Sequence, residues 1–196
     1  MAGLERSRST RPGLLNRLAT FLGIKKKEAQ ILFVGLDNSG KSTLINFLKP
    51  DSYKRQEVVP TIGYSVEQFT AGRISFTVFD MSGQGKSRPL WEHYYRDAHA
   101  VVFVLDSTDR LRMEVAREEL NNLLLHADVS TRKVPILFLA NKMDCKDALG
   151  PIQVSVDMCL HEINLHSWHI CATNAVTGEG VEEGILWLTE QIKHRL

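Results

Sequence analysis

The chain has 196 residues, of which 43% are hydrophobic and 24% are charged, a size and composition that fit one compact domain with a short tail. Its 24 Lys and Arg nearly balance 23 Asp and Glu, which excludes a disordered chain and a generally basic nucleic-acid binder. Because Cys145, Cys159 and Cys171 form no Cys-x-x-Cys pair, the composition favours a cytoplasmic protein over a disulfide-linked secreted one.

The N-terminus is basic, because no acidic residue lies between Glu5 and Glu28. We interpret residues 1–12, rich in Arg, Ser and Thr, as a flexible basic leader, and residues 13–27 as an amphipathic helix that runs into three lysines. The apolar stripe of this helix comprises Leu14, Leu15, Leu18, Phe21 and Leu22. We expect it to insert at a membrane surface while the lysines meet anionic lipid. Permanent docking on the domain and an organelle transit peptide are the alternatives.

From residue 28 onward, short apolar runs alternate with helical patterns. Strands are predicted over residues 30–34, 64–69, 74–79, 100–105, 135–139 and 168–171, and helices over residues 41–48, 110–125 and 181–192. The short connection between the second and third strands suits an antiparallel hairpin, whereas strands joined through helices favour parallel pairing. The sequence therefore predicts an α/β domain over residues 28–196 with a doubly wound, mostly parallel six-stranded sheet.

A phosphate-loop motif lies where the first strand meets the first helix. Residues 35–42 read Gly-Leu-Asp-Asn-Ser-Gly-Lys-Ser, which satisfies G-x-x-x-x-G-K-[ST]. Gly35 and Gly40 allow successive backbone N–H groups to converge on phosphate oxygens at a helix N-terminus. Lys41 can reach the terminal phosphates, and the Ser42 hydroxyl can bind Mg²⁺. The alternative is a glycine-rich turn with a capping serine.

The choice of nucleotide depends on Asn141-Lys142-Met143-Asp144, which follows the fifth strand. Guanine presents two adjacent donors, N1–H and the 2-amino group, and a carboxylate can accept both hydrogen bonds. Asp144 therefore favours guanine over adenine. Taken alone, the tetrapeptide is equally typical of a polar loop after a strand, but its position after a phosphate loop supports a guanine site.

Two further motifs, Pro60-Thr61-Ile62-Gly63 and Asp80-Met81-Ser82-Gly83-Gln84-Gly85, lie between these loops. Asp80 ends the third strand, which places a carboxylate at the edge of the sheet beside the predicted metal. The Gly83 N–H can approach a γ-phosphate. The Gln84 amide can both donate to a water molecule and accept from it.

Together these motifs resemble the small GTPases over residues 30–196, and within them the ARF and ARF-like branch. The branch is indicated by Gly35-Leu36-Asp37, Pro60-Thr61-Ile62-Gly63, Arg88-Pro89-Leu90-Trp91, Asp106-Ser107-Thr108-Asp109-Arg110 and the N-terminal amphipathic helix. The resemblance implies a Ras-like fold and a switch that binds GTP and GDP with Mg²⁺. It also implies regulation by an exchange factor and an activating protein.

The resemblance assigns roles position by position. It implies that Ser42 and Thr61 coordinate Mg²⁺, that Asp80 holds the ion through water, and that Gln84 is the catalytic residue orienting the attacking water. The implied nucleotide-binding set is Gly35, Leu36, Asp37, Asn38, Ser39, Gly40, Lys41, Ser42, Thr43, Thr61, Asp80, Gly83, Asn141, Lys142, Asp144, Cys171, Ala172 and Thr173. Thr61 reaches the metal only while the γ-phosphate is present, so its loop is expected to relax after hydrolysis.

We expect slow hydrolysis of GTP to GDP and phosphate without an activating protein. No arginine stands obviously placed to stabilise the transition state, and Asp37 lies where Ras proteins have glycine. In ARF-type proteins the hairpin between the switches also shifts register, and Tyr64, Phe79 and Tyr94 occupy its aromatic positions. Phe79 replaces the tryptophan usual in ARFs proper, so the effector surface is expected to differ.

Several segments most resemble a ciliary branch of the ARF-like family. They are Ile24-Lys25-Lys26-Lys27-Glu28, Asp80-Met81-Ser82-Gly83-Gln84-Gly85, Trp91-Glu92-His93-Tyr94-Tyr95 and Trp168-His169-Ile170-Cys171-Ala172-Thr173. The branch implies recruitment of a coat complex resembling the BBSome, trafficking of ciliary membrane proteins, and a peripheral membrane location at the cilium or its base. Ala2 follows Met1, so the Met-Gly signal for N-myristoylation is missing.

Two other functions remain open at this point, a P-loop kinase or ATPase, against which Asp144 argues, and a catalytically feeble nucleotide-dependent scaffold. The residues Cys159, His161, His166, His169 and Cys171 form a string of metal-ligand types. Their spacing fits no standard zinc pattern. We therefore expect His169 and Cys171 to belong to the sixth strand and guanine loop rather than to a metal site.

Overall fold

One sheet of six strands organises the part of the chain that the computed structural model describes, residues 27–71, 74–193 and 195. The strands are β1 (Lys27–Val34), β2 (Tyr64–Ala71), β3 (Ile74–Met81), β4 (Ala100–Asp106), β5 (Ile136–Asn141) and β6 (Trp168–Ala172). The helices are α1 (Lys41–Leu48), α2 (Glu92–Tyr95), α3 (Met113–Leu125), α4 (Ala127–Ser130), α5 (Pro151–Asp157) and α6 (Val181–Lys193). Short 3₁₀ helices occupy Asp51–Tyr53, Gly85–Trp91, Arg110–Arg112 and Leu160–Glu162.

The strand order is β2-β3-β1-β4-β5-β6. β1 pairs in parallel with β3 and β4, and β5 pairs in parallel with β4 and β6. β2 is the exception, since it runs antiparallel to β3 with Tyr64 opposite Met81. This arrangement confirms the predicted doubly wound, mostly parallel sheet with an antiparallel hairpin.

Two apolar clusters, one on each face of the sheet, hold the fold together. On one face α1 and α6 pack against the strands, and the apolar side chains of α6 that are buried there are Val181, Ile185, Leu188 and Ile192. On the other face α3 and the turns around α5 pack against Phe103 and Phe138, with Trp91 at 1% exposure. Full burial of one large apolar side chain contributes about 1.5–3 kcal/mol, so each layer adds to the stability of the sheet that carries the polar loops.

The predicted strands are all present but are mostly longer than the apolar runs indicated, because ladder hydrogen bonds continue into polar residues. The predicted helix over residues 110–125 begins as a 3₁₀ turn and becomes α-helical at Met113, since the Asp109 carboxylate caps the Arg112 N–H. The short helices α2, α4 and α5 were not predicted, because each has at most seven residues and too few turns to show a periodicity.

The predicted N-terminal helix lies outside the described residues, and β1 begins at Lys27, the last residue assigned to the lysine run. None of the helices in residues 27–71 and 74–193 has the length and apolar character needed to span a bilayer.

Candidate nucleotide-binding site

The predicted site residues gather at the edge of the sheet where the parallel strands end. The loops after β1, β3, β5 and β6 all open onto this edge, as expected for a ligand site in a doubly wound sheet. A cleft of about 330 Å³ lies between the phosphate loop, the segment before β2 and the end of β3. Among the predicted residues, its lining includes Asp37, Asn38, Gly40, Lys41, Ser42, Thr43, Thr61, Gly83 and Gln84.

The phosphate loop is closed by Lys41, which is only 6% exposed. Its ammonium group turns back over the loop and donates to the Gly35 carbonyl oxygen at 2.9 Å and the Leu36 carbonyl oxygen at 2.7 Å. Burial lowers the pKa of Lys41 to about 8, although the nearby charge of Asp80 opposes that shift. The loop thus concentrates positive charge where anionic phosphate oxygens would lie.

Ser42, Thr61 and Asp80 form one polar cluster although they come from three separate segments. The Ser42 hydroxyl donates to Asp80 Oδ2 at 2.5 Å, and the Thr61 hydroxyl donates to the same oxygen at 3.1 Å. The Ser42 and Thr61 hydroxyl oxygens are 3.0 Å apart. The loop before β2 is thereby tied to both α1 and β3.

The cluster has the chemistry of a magnesium site. Asp80 is 4% exposed, and its Oδ1 has no hydrogen-bond partner among the described residues. Burial raises the pKa of Asp80, and the hydrogen bond from Ser42 only partly offsets that shift. A buried carboxylate oxygen with a free lone pair, beside two hydroxyl groups, gives the all-oxygen donor set that Mg²⁺ prefers.

Gly83 and Gln84 follow directly behind this cluster. A side chain at Gly83 would overlap the backbone of Leu36 and Asp37, so only glycine allows this close approach to the phosphate loop. The Gly83 carbonyl accepts from Arg88 Nε at 2.9 Å. Gln84 lines the cleft, and its backbone N–H donates to the Ser82 hydroxyl at 3.4 Å.

The structure places two arginines next to the phosphate loop, where the sequence indicated none. Arg112 Nη1 lies 2.9 Å from Asp37 Oδ1, and Arg88 Nη1 lies 2.9 Å from Glu119 Oε1. Both guanidinium groups are thus engaged by carboxylates. Arg112 is 75 residues from Asp37 in the sequence, and no local pattern signals that pairing.

Asn141 joins the phosphate loop to the loop after β6. It is 1% exposed, and its amide nitrogen donates to the Ser39 carbonyl oxygen at 2.8 Å. Its amide oxygen accepts from the Ala175 N–H at 2.9 Å and from the Thr173 hydroxyl at 3.4 Å. Gly40, at φ 94°, lies so close that a side chain there would overlap the Asn141 amide.

The other residues predicted to seat guanine surround Asn141. Lys142 Nζ lies 2.6 Å from Asp106 Oδ2, while Asp144 follows as an exposed carboxylate. Burial alone would raise the pKa of Asp106, but hydrogen bonds from Lys142 and Thr108 lower it. Asp106 lies at the end of β4, as Asp80 lies at the end of β3. That position in the sequence could have identified Asp106 as a residue of the site.

Cys171 and the two residues after it complete the predicted set. The Thr173 N–H donates to the Ala140 carbonyl at 2.8 Å, which holds the loop after β6 beside β5. The Cys171 side chain lies instead in the core beneath α6. Burial raises the pKa of the Cys171 thiol to about 11, and the charge of Glu183 adds to this shift.

Comparison with known proteins identifies the family of the chain. The sequence pattern of the ADP-ribosylation factor family matches residues 15–192. The chain belongs to this family. It is 56% identical over 181 residues to ADP-ribosylation factor-like protein 6 of Danio rerio, an alignment covering 92% of this chain and 97% of that protein. The Caenorhabditis elegans protein of the same name is 42% identical over 180 residues, with 92% and 95% covered.

A solved structure gives the same result for the fold. The small GTPase Arl6 BBS3 from Trypanosoma brucei, with the bound nucleotide analogue GppNp, superposes with a TM-score of 0.81 and 42% sequence identity. The match covers 86% of this chain and 99% of that one. The chain is therefore an ARF-like small GTPase that binds guanine nucleotides and hydrolyses GTP, which sets aside the kinase and ATPase alternative.

The aromatic residues at the ARF-type hairpin positions also come together. The Tyr94 ring centroid lies 5.2 Å from that of Tyr64 and 4.8 Å from that of Phe79. Burial and the contact with Tyr64 raise the pKa of Tyr94 to about 12. The hairpin is thus joined to α2 by a cluster that contains phenylalanine at the position where ARFs proper have tryptophan.

Proposed function

We propose that this ARF-like GTPase is a magnesium-dependent switch that, in its GTP form, recruits a coat complex resembling the BBSome to membranes. The process that this switch would serve is the trafficking of ciliary membrane proteins. The names of its relatives support this proposal, since two are ADP-ribosylation factor-like protein 6 and the structural neighbour is Arl6 BBS3. The observation that carries the switch itself is the contact of Thr61 with both Ser42 and Asp80.

Thr61 couples the nucleotide state to the surface of the protein. Ser42 and Thr61 would hold Mg²⁺ directly, and Asp80 would hold it through water. The ion supplies positive charge that neutralises the β- and γ-phosphate oxygens. Thr61 belongs to the loop before β2, next to the exposed side chains of Val59 and Ile62. Loss of the γ-phosphate would release this loop and change the apolar surface that an effector contacts.

Gln84 and Lys41 would carry the hydrolytic step. Gln84 orients a water molecule whose oxygen bonds to the γ-phosphorus as the bond to the β–γ bridging oxygen breaks. Lys41 places its charge on the phosphate oxygens. The engagement of Arg88 by Glu119 and of Arg112 by Asp37 supports slow turnover without an activating protein, because neither guanidinium is free to face the phosphates.

Guanine would lie against the loops after β5 and β6. Asp144 would accept the two guanine donors, Asn141 would fix the position of both loops, and Lys142 and Ala172 would border the base. The exposed position of Asp144 and the buried bonds of Asn141 support these roles.

Membrane attachment would use residues 13–27, whose amphipathic pattern and lysines suit an anionic bilayer surface. The protein would then be cytoplasmic and peripheral on membranes at the cilium or its base. Residues 1–12 would form a leader ahead of this segment.

Capture from an extract of ciliated cells tests the proposed function. The full chain, loaded with GppNHp or with GDP, is immobilised, and coat subunits are detected by immunoblot. We expect retention only by the GppNHp form, and loss of retention in Ser42→Asn. Flotation with anionic vesicles measures the membrane step in parallel. Equal coat retention in both nucleotide states would contradict the switch, and equal flotation would contradict nucleotide-dependent membrane insertion.

A further inference from the structure

A second group of metal-ligand side chains lies away from the phosphate loop, at the outer edge of the sheet. His169 and Cys171 are two residues apart on β6, so both side chains point to the same face of the strand. Glu183 reaches them from the first turn of α6, which covers that face. The ligand atoms of the three residues all lie within 4.8 Å of one another.

We propose that His169, Cys171 and Glu183 form a zinc-binding site that joins β6 to α6. An imidazole nitrogen, a thiolate sulfur and a carboxylate oxygen are the ligand types that Zn²⁺ accepts together, and the sulfur disfavours Mg²⁺ and Ca²⁺. When the ion binds, it coordinates Cys171 Sγ and the thiol proton passes to solvent. Three protein ligands leave a fourth position for water.

The geometry requires only a small closure. A tetrahedral zinc site with ordinary bond lengths separates neighbouring ligand atoms by about 3.3–3.8 Å. His169 Nε2 and Glu183 Oε1 are already 3.8 Å apart. The Cys171 sulfur lies within 4.8 Å of the ligand atoms of both other residues, so an approach of about 1 Å at most remains. The Glu183 side chain, which is 74% exposed, and a small rotation of the His169 ring can supply it.

Burial raises the pKa of the Cys171 thiol to about 11, so the ion must displace a firmly held proton, but three other features of the surroundings favour binding. β6 ends the strand order, so its outer side has no neighbouring strand and an ion can reach His169, whose side chain is 37% exposed. The His169 ring stacks on Trp187 at 5.5 Å between centroids, which fixes the imidazole. Cys171 is 4% exposed and lies in the core, so its sulfur is held rigidly. The string of cysteines and histidines in the sequence did not indicate this site, because Glu183 is not part of it.

Cobalt substitution tests the proposal, because Co²⁺ bound to a thiolate gives an intense charge-transfer band that oxygen ligands do not give. The full chain carries Cys145→Ser and Cys159→Ser, so that Cys171 is its only thiol, and stays loaded with GDP and excess Mg²⁺. We expect the band to saturate at one Co²⁺ per chain and to disappear on addition of one equivalent of Zn²⁺. The site at Ser42 contains only oxygen ligands and cannot produce this signal.

Three variants separate the triad from unspecific binding. His169→Phe keeps the ring against Trp187 but removes the nitrogen ligand, and Glu183→Gln removes the charge of an exposed side chain. Each is expected to weaken Co²⁺ binding at least tenfold, while Glu182→Gln, one residue away on the same helix turn and also exposed, leaves it unchanged. Zn²⁺ should likewise raise the melting temperature of the parent and of Glu182→Gln only.

Absence of the band in the parent protein overturns the proposal, as does an unchanged affinity in His169→Phe or Glu183→Gln. GDP content, measured on each variant, shows that the domain is folded. The result is independent of the proposed switch, because neither coat capture nor GTP hydrolysis enters the measurement.

Discussion

Asn141 carries the sharpest structural prediction, because a single buried side chain joins the phosphate loop to the loop after β6. Its amide satisfies the Ser39 carbonyl oxygen on one side and the Ala175 N–H on the other. Asn141→Ala removes both partners at once and leaves two buried backbone groups without a hydrogen bond. Among the described residues no other side chain hydrogen-bonds these two groups, since the Thr173 hydroxyl reaches only the Asn141 oxygen and the Ala140 carbonyl.

The expected loss of stability in Asn141→Ala follows from those two unpaired backbone groups. A buried donor or acceptor left unsatisfied costs about 1–3 kcal/mol, so Asn141→Ala should lower the free energy of unfolding by about 2–6 kcal/mol. Asn141→Asp keeps an oxygen that can accept from Ala175 but places a carboxylate oxygen against the Ser39 carbonyl. We expect it to cost at least 2 kcal/mol, because this contact is repulsive as well as unsatisfied.

Urea unfolding at saturating GDP and Mg²⁺ measures the effect, and any loss of GDP affinity adds to the destabilisation in the same direction. Asn122→Ala is the matched control, because Asn122 is exposed on α3 and a surface change of this kind is expected within about 0.5 kcal/mol of zero. If Asn141→Ala costs no more than Asn122→Ala, Asn141 does not join the two loops as we argue.

Three further predictions concern the switch and its surroundings. Gln84→Leu should slow activator-stimulated phosphate release at least about 100-fold with GTP affinity unchanged, and intact stimulated turnover would contradict the role given to Gln84. Glu67→Gln should destabilise the domain by about 3 kcal/mol in urea, because it removes the negative charge that lies 2.9 Å from the buried Lys49 ammonium, whereas Asp51→Asn at an exposed pair should cost under about 0.5 kcal/mol. Because burial raises the pKa of Asp80, protons should compete with Mg²⁺ for this carboxylate as the pH falls through the raised pKa. Mg²⁺-dependent retention of GDP should therefore weaken over that pH range. If Asp80→Asn shows the same weakening with falling pH, Asp80 is not the group that titrates.

The centre of the sheet was predictable because its central strands are buried on both faces and therefore read as continuous apolar runs. β4 and β5 show this most clearly, since each begins and ends within a residue or two of the predicted bounds. The segment from Gly85 to Tyr95 shows the limit. It consists of a 3₁₀ helix with Pro89 inside it and one turn of α2, and its conformation depends on Trp91 burying itself and donating to the Ser82 carbonyl at 3.1 Å. Because that contact joins residues through tertiary packing, no local sequence periodicity predicts it.

The candidate site likewise has one part that the sequence predicts and another that it does not. Ser42 and Asp80 could be placed together from the sequence, because each lies at the start or end of a predicted element that opens onto one edge of the sheet, whereas Thr61 was joined to them only through the family resemblance. The residues that hold the loops in place could not be predicted from the sequence. Arg112 meets Asp37 across 75 residues of sequence, from a 3₁₀ turn that the sequence had assigned to the following α-helix.

Glu182 and Glu183 show why side-chain clusters between elements require the structure. In the sequence they are equivalent acidic residues in the first turn of a helix, where both interact favourably with the helix dipole. Neighbouring residues on a helix point about 100° apart, so the packing of α6 on the sheet decides which of them faces β6. Gly184 sets that packing, because its missing side chain lets α6 lie against Leu137 and Leu139. Glu183 is thereby turned toward His169, and Glu182 is not. Replacing Glu183 should therefore weaken zinc binding, whereas replacing Glu182 should leave it unchanged.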